Sequence, residues 1–353
     1  MLIDRMNERE ETTLTTFAYG MIPAHEGLTG LPARVTAVHK ERYQVACEHG
    51  LTYARLKTGV YFAGDEPFPT VGDWVMLQYV STGDSLITAT LPRRTYFARR
   101  DPTPGRGEQA VAANFDWVFI LQSLNGDFNP RRLERYVSLA WQSGATPVIL
   151  LTKADLTEDS LPCEMEAARV APGVEIHVVS ARTGYGLNRL TRYLQPGTTV
   201  VFLGSSGVGK SSLVNALAGD EVMHTAAIRE DDDKGRHTTT HRQLLTLPSG
   251  AMIIDTPGMR ELGMWDAAAG LAETFADVEQ YIGQCRFSDC RHEDEPGCAI
   301  RAAIDSGDLE EDRYLSWRKL QEESVDKATI RARKQAWGKA IRKYEKLKNK
   351  EVW

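Results

Sequence analysis

The sequence predicts a multidomain chain in which a small β-barrel is followed by a parallel α/β sheet and then by a mainly helical segment. Three observations predict it. Residues 31–91 hold short runs that alternate apolar and polar residues, whereas 117–257 hold continuously apolar runs separated by helical stretches. From about residue 270 the text turns polar and helical, interrupted by three cysteines and a histidine. At roughly 100–200 residues per domain, 353 residues suffice for two or three cores.

Composition narrows the class. Mean hydropathy is −0.35, and no apolar run approaches the roughly 20 residues that span a bilayer. The opening MLIDRMNEREETTL places acids where a signal peptide carries a basic and then an apolar stretch. The expectation is a cytoplasmic protein with no membrane partner. Five cysteines are too few for a disulfide scaffold, and three of them fall between 285 and 298, which suggests metal. The net charge of −6 conceals an asymmetry: ten basic residues from Lys327 to Lys350 face one acid, Glu345. That end carries +9 and the remainder −15, the pattern expected where one end meets a polyanion.

Residues 1–30 are polar and aperiodic, an expected flexible arm. The barrel is placed at 31–98, its five runs being LPARVTAVH, RYQVACE, LTYARL, DWVMLQYV and SLITATL with Gly, Pro and Asp turns between them. Five short strands in so few residues fit an OB-fold, with a ligand-free structural sandwich as the alternative. Residues 99–110, RRDPTPGRGEQA, read as a linker by composition. The α/β domain follows at 111–269, with strands over 117–123, 147–153, 174–181, 199–206, 242–247 and 251–257. Residues 270–353 form the helical end.

Gly204-Ser205-Ser206-Gly207-Val208-Gly209-Lys210-Ser211 matches GxxxxGK[ST] between a strand and a helix that continues from Ser212. Glycines let backbone N–H groups turn toward phosphates, Lys210 is placed to reach the β- and γ-phosphates, and Ser211 to bind Mg²⁺. Asp255-Thr-Pro-Gly258 ends a strand, where an acid can hold the Mg²⁺ shell and a glycine N–H can sense the γ-phosphate. Thr152-Lys153-Ala154-Asp155 ends another. Its Asp155 carboxylate suits the paired N1–H and amino donors of guanine, which adenine lacks, while the Lys153 stem covers the base. Ser180-Ala181-Arg182 closes a fourth strand, where a backbone N–H meets guanine O6. Ligands bind at the C-terminal edge of such sheets, so the four motifs support one another. They predict GTP/GDP with Mg²⁺.

Their order is unusual: base recognition (152–155, 180–182) precedes the phosphate elements (204–211, 255–258). The same sheet results if the chain is cut in an exposed loop and permuted. The segment after Gly258 then leads into the helical end, a possible route for nucleotide state.

At this point the chain resembles the circularly permuted GTPases of the ribosome small-subunit-dependent type, which act in late maturation of the bacterial small ribosomal subunit. The resemblance rests on Val71-Gly72-Asp73-Trp74 in the barrel, the permuted motifs and the Cys/His cluster, and covers nearly the whole chain. It implies that Gly235-Arg-His-Thr-Thr-Thr240 is the first switch, with Thr239 completing the Mg²⁺ shell. Thr152 departs from the usual Asn of GTPases: it keeps a hydroxyl and loses the amide, which lowers the expected affinity for guanine.

Where Ras-like enzymes orient water with a Gln after DxxG, this chain has Met259, so intrinsic hydrolysis is expected to be slow. His237 and His241 flank the switch threonines and are the catalytic candidates, with solvated loop histidines as the plain alternative.

Cys285, Cys290, His292 and Cys298 offer three thiolates and one imidazole within 14 residues, enough for one structural, tetrahedral Zn²⁺. Similar proteins of the family bind zinc at this arrangement. In the tail Ile330, Trp337, Ile341, Tyr344 and Leu347 form an apolar stripe at helical spacing that leaves a basic, phosphate-binding face. The sequence therefore reads as a monomeric GTP hydrolase gripping the small ribosomal subunit and its rRNA, with hydrolysis coupled to release. The alternatives are a GTPase acting on another RNA such as tRNA, or an RNA-binding GTP switch.

Overall fold

The structure is a computed structural model, and it describes residues 19–23, 25, 27–39, 42–61, 67–100, 108–220, 242–255 and 267–324. The chain divides into two compact units, 1–262 and 263–353.

Each alternating run becomes a strand: β1 (Leu31–Val38), β2 (Tyr43–Cys47), β3 (Gly50–Leu56), β4 (Trp74–Gln78) and β5 (Ser85–Thr90). They pair in the order β1-β2-β3-β5-β4, and β4 returns to β1, closing a five-stranded barrel. Period-two burial explains the closure: Val35, Val45, Ala54, Val75, Leu77 and Ile87 point inward and are fully buried. A short helix α1 (Thr58–Tyr61) follows β3. Asp73 holds the turn that enters β4; its carboxylate accepts from Thr70 N–H at 2.8 Å and from Arg93 at 2.9 and 2.7 Å. Gly72 sits there because φ is +88° and a Cβ would lie 2.0 Å from the Ala113 carbonyl oxygen.

The composition of 99–110 reads as a linker, yet its two ends are paired. β6 (Tyr96–Arg100) and β7 (Glu108–Ala113) form an antiparallel ribbon with Arg99 opposite Gln109 and Arg100 opposite Glu108. The turn chemistry between them masks a pairing that depends on a partner strand rather than on local pattern.

The α/β sheet contains β8 (Trp117–Ser123), β9 (Thr146–Thr152), β10 (Glu175–Val178), β11 (Thr199–Gly204), β12 (Arg242–Thr246) and β13 (Met252–Asp255), in the order β10-β9-β8-β11-β13-β12. All neighbours are parallel except β12 and β13. Helices α2 (Pro130–Gln142), α3 (Leu161–Val170) and α4 (Lys210–Ala218) cross between strands. Phe119, Leu121, Val148, Leu150, Val200, Phe202 and Ile253 share one buried cluster, the reason these strands read as unbroken apolar runs.

The barrel and this sheet share a single continuous ladder, because Ala37 and Val38 of β1 pair with Gln243 and Arg242 of β12. At the joint lies Arg34, 2% exposed. Its guanidinium donates to the carbonyls of Gly72 (3.2 Å), Asn114 (2.7 Å) and Tyr19 and to Thr199 Oγ1 (3.1 Å). Burial lowers its pKa to about 10, so the cation survives at neutral pH on its ring of oxygens.

The second unit is helical: α5 (Ala268–Thr274), α6 (Ala276–Glu279), α7 (Ala299–Ser306) and α8 (Glu311–Ser324). Buried Arg313 of α8 ties the pieces together, donating to Asp277 at 2.9 Å and to the Thr274 carbonyl at 2.5 Å and lying over the Phe275 ring. Among the described residues no helix is long and apolar enough to cross a membrane.

Candidate functional site

β11 ends at Gly204, and the chain wraps through 205–209 into α4. Gly204 is tightly packed: a Cβ there would lie 3.0 Å from Val208 Cγ1 and 3.2 Å from the Leu121 backbone oxygen, so these neighbours would have to give way slightly. Gly207 and Gly209 have φ of +71° and +101°. These left-handed glycines turn the loop tightly while Val208 is buried beneath it. Lys210 opens α4, and its Nζ lies 2.7 Å from Asp255 Oδ1 at the end of β13. Ser211 is half-buried in the first turn and Ser212 exposed. Backbone N–H groups at a helix N-terminus, a lysine and a carboxylate thus converge at the C-terminal edge of neighbouring parallel strands.

Two strands away, β9 ends in Thr152, which is 4% exposed. Its hydroxyl donates to the Val208 carbonyl at 2.6 Å, which joins this strand end to the loop 204–209. Lys153 follows at φ +60°, a left-handed turn that swings Asp155 out at the sheet edge within the 3-10 turn Ala154–Leu156. Asp155 Oδ1 accepts the Ser180 hydroxyl at 2.6 Å, and Oδ2 lies 3.7 Å from Arg182. The Ser180 bond is the main reason the carboxyl is held below its ordinary pKa. Ser180 is fully buried and is itself fixed, its Oγ accepting Thr183 N–H at 3.2 Å. Ala181 continues the same turn, half-buried. A pre-oriented, ionised carboxylate of this kind can accept two parallel N–H donors.

The structure therefore brings Thr152, Lys153, Asp155, Ser180, Ala181, the loop 204–212 and Asp255 to one edge of one sheet. Gly258, Met259, His237, Thr239, His241 and the run 235–240 lie outside the described residues, as does the basic tail 327–350. Sequence reasoning missed Asp127 and Arg132, which stand beside the loop: Asp127 Oδ2 accepts the Ser205 hydroxyl at 2.7 Å and pairs with Arg132. The missed signal was the polar turn 124–129 at the end of β8, the same sheet edge as the other motifs.

Residues 90–265 match a family model described as RsgA GTPase. A small ribosomal subunit biogenesis GTPase, RsgA 2 of Listeria monocytogenes serotype 4b, is 48% identical over 291 residues, 82% of each chain. The chain belongs to the RsgA GTPase family. Another relative with that name, from Vibrio parahaemolyticus serotype O3:K6, is 43% identical over 314 residues, covering 88% of this chain and 85% of its own. The solved structure of YjeQ from Thermotoga maritima superposes with a TM-score of 0.62 at 28% identity, over 83% of this chain and 98% of the other. That of YloQ, described as a circularly permuted GTPase, gives 0.57 at 24% identity over 85% and 97%.

Membership of the RsgA GTPase family makes the chain a GTP-hydrolysing enzyme, and its strand order is that of a permuted GTPase sheet. β11, whose end leads into the loop 204–209, lies at the centre, although β8 to β10 on one side of it precede it in the chain.

In the second unit Cys285, Cys290, His292 and Cys298 present their ligand atoms within 4.8 Å of one another. His292 Nδ1 lies 3.4 Å from Cys285 Sγ and 3.5 Å from Cys298 Sγ. Cys298 caps α7, and the N–H groups of Ala299 and Arg301 approach the Cys285 and Cys298 sulfurs; the Ala299 N–H helps hold the Cys285 thiol below its ordinary pKa. His292 itself has φ +61°, and Glu295 accepts the N–H groups on either side of it, from Arg291 at 3.0 Å and Glu293 at 2.9 Å. Three sulfurs and one imidazole at this spacing fit a tetrahedral zinc site with no open position.

Proposed function

We propose that this GTPase binds the small ribosomal subunit and assists its late maturation, with slow intrinsic hydrolysis that the subunit stimulates and with hydrolysis coupled to release. The observation that carries the reading is the convergence of Asp155, the 204–212 loop and Asp255 at one sheet edge, in a chain whose relatives are named small ribosomal subunit biogenesis GTPases.

In this reading Gly204 to Gly209 cradle the phosphates, Lys210 neutralises the β- and γ-phosphates, and Ser211 and Asp255 hold Mg²⁺. Asp155 accepts the guanine N1–H and amino group, Lys153 covers the base, and the Ser180–Ala181 backbone meets O6. With nucleotide bound, Lys210 would turn from Asp255 toward phosphate, and the Asp255 carboxylate would then be available to hold Mg²⁺. Gly258 senses the γ-phosphate, Thr239 completes the Mg²⁺ shell, and His237 or His241 positions water in place of the Gln that Met259 replaces. One Zn²⁺ on the Cys₃His cluster supplies structural cross-linking and no catalysis. The barrel (31–98), the permuted domain (111–269) and the zinc-binding end (270–353), with the β6–β7 ribbon standing where 99–110 read as a linker, would act as a cytoplasmic monomer. Its basic tail supplies salt-sensitive rRNA contacts.

Phosphate release from GTP and ATP, with and without purified small subunits at low and high salt, tests this. Stimulation by small subunits that is confined to GTP and lost at high salt is the expected result. Subunit binding without a change in rate would favour an RNA-binding switch, and stimulation by tRNA instead would favour the other enzyme.

A further inference from the structure

Beside the phosphate loop lies a polar cluster that no recognised motif contains. Asp127, in the turn after β8, accepts the Ser205 hydroxyl through Oδ2 at 2.7 Å. Its carboxylate is gripped by Arg132 from the first turn of α2, with Oδ2 at 3.0 Å and Oδ1 at 3.3 Å, and Arg132 also donates to the Asp127 carbonyl and to Gln122 Oε1 at 3.1 Å. Gln122 is fully buried, and its Nε2 and Arg132 Nε have no hydrogen-bond partner among the described residues. The Ser205 bond, then Arg132 and Lys153, keep the Asp127 carboxyl ionised.

The loop needs such support. Gly207 and Gly209 give it no side chains of its own to fix the backbone, and both are left-handed. Side chains from two other elements hold it, Thr152 at Val208 and Asp127 at Ser205, one for each half. Peptide N–H groups that are already aimed at phosphate bind it without an ordering cost.

We propose that Asp127 is a positioning residue for the nucleotide: by holding Ser205, with Arg132 holding it in turn, it sets how slowly the phosphate loop releases its ligand. The proposal rests on the assignment of 204–212 as that loop. The Asp127 carboxylate has no direct role toward the reacting atoms, so its loss should act on release rather than on the chemical step.

The test is stopped-flow release of N-methylanthraniloyl-GDP from the full-length protein. S205A and D127A should each speed release about tenfold, the loss of one charge-assisted hydrogen bond. The double variant should release no faster than D127A, because both changes remove one interaction. The kcat of D127A at saturating GTP should stay within about twofold of wild type. If D127A fails to fold by circular dichroism, D127N carries the test: it preserves shape and an acceptor for Ser205, loses the ionic grip of Arg132, and should release about threefold faster. Unchanged release in the folded Asp127 variants, or effects of S205A and D127A that multiply in the double variant, would overturn the proposal. Failure of the loop assignment looks different, since K210A would then retain the nucleotide as well as wild type does.

Discussion

The Thr152 hydroxyl donates to the carbonyl oxygen of Val208 at 2.6 Å across 56 residues of sequence, joining the end of β9 to the loop 204–209. The bond is buried on both sides, Thr152 being 4% and Val208 2% exposed, and the same hydroxyl lies 3.3 Å from the Gln122 carbonyl.

T152V keeps the shape and removes the donor, leaving the Val208 carbonyl short of a partner. The expected result is a loss of GDP affinity of about tenfold by calorimetry, corresponding to roughly 1–2 kcal/mol for a buried unmet acceptor. T152S should restore most of it. Equal affinity in wild type and T152V would show that the bond does not support the loop.

The Asp155 carboxylate is oriented by the Ser180 hydroxyl at 2.6 Å, and base recognition is the role proposed for it. D155N replaces an acceptor by a donor, so GDP should bind about a hundredfold more weakly, the loss of two hydrogen bonds to a charged group. Xanthine nucleotides, which carry a carbonyl where guanine has its amino group, should bind better than to wild type. Fluorescence titration with both diphosphates distinguishes the outcomes, and an unchanged preference for GDP would remove Asp155 from base recognition.

Metal analysis should find about one zinc per chain, held with the tight binding typical of closed sites. Cobalt substitution should give the thiolate-to-metal absorption of a tetrahedral S₃N site. C285S should lower both metal content and the thermal stability of the helical unit. A fully loaded C285S protein would exclude this cluster.

His177 provides a pH handle on the edge strand β10. Its Nε2 lies 2.8 Å from the Tyr193 hydroxyl, which in turn donates to Glu175. Burial, reinforced by Arg189, lowers its pKa below 6.5. The unfolded chain therefore binds the proton more readily than the folded one. Stability rises with pH through this window: it is complete above 6.5 and is lost as pH falls toward the folded value. Urea midpoints should drop between pH 7.5 and 5.0 in wild type by more than in H177Q, which keeps a donor for Tyr193 and cannot titrate. Identical pH dependence in the two proteins would assign the effect elsewhere.

Much of the site was legible because its chemistry is local. The Gly204–Ser211 pattern, Asp155 within its tetrapeptide and the four metal-ligand candidates each occupy a short stretch whose spacing carries the meaning. The five barrel strands were legible because alternate residues face one core. The β6–β7 ribbon was not, since Arg99 and Arg100 sit in linker-like text and acquire order from Gln109 and Glu108 opposite.

What the sequence by itself determined is the set of chemical groups and their chain order: the glycine-rich loop 204–211, the Asp155 carboxylate, the Cys₃His donors at 285–298 and the permuted order that separates them. Period and spacing encode these without reference to distant residues. Only the tertiary structure decided that Arg34 would meet Thr199 across 165 residues, that Asp127 would hold Ser205 across 78, and that β1 would extend the sheet through β12. Such contacts depend on which strands become neighbours, and neighbours are chosen by burial of the whole apolar surface rather than by any one segment's pattern.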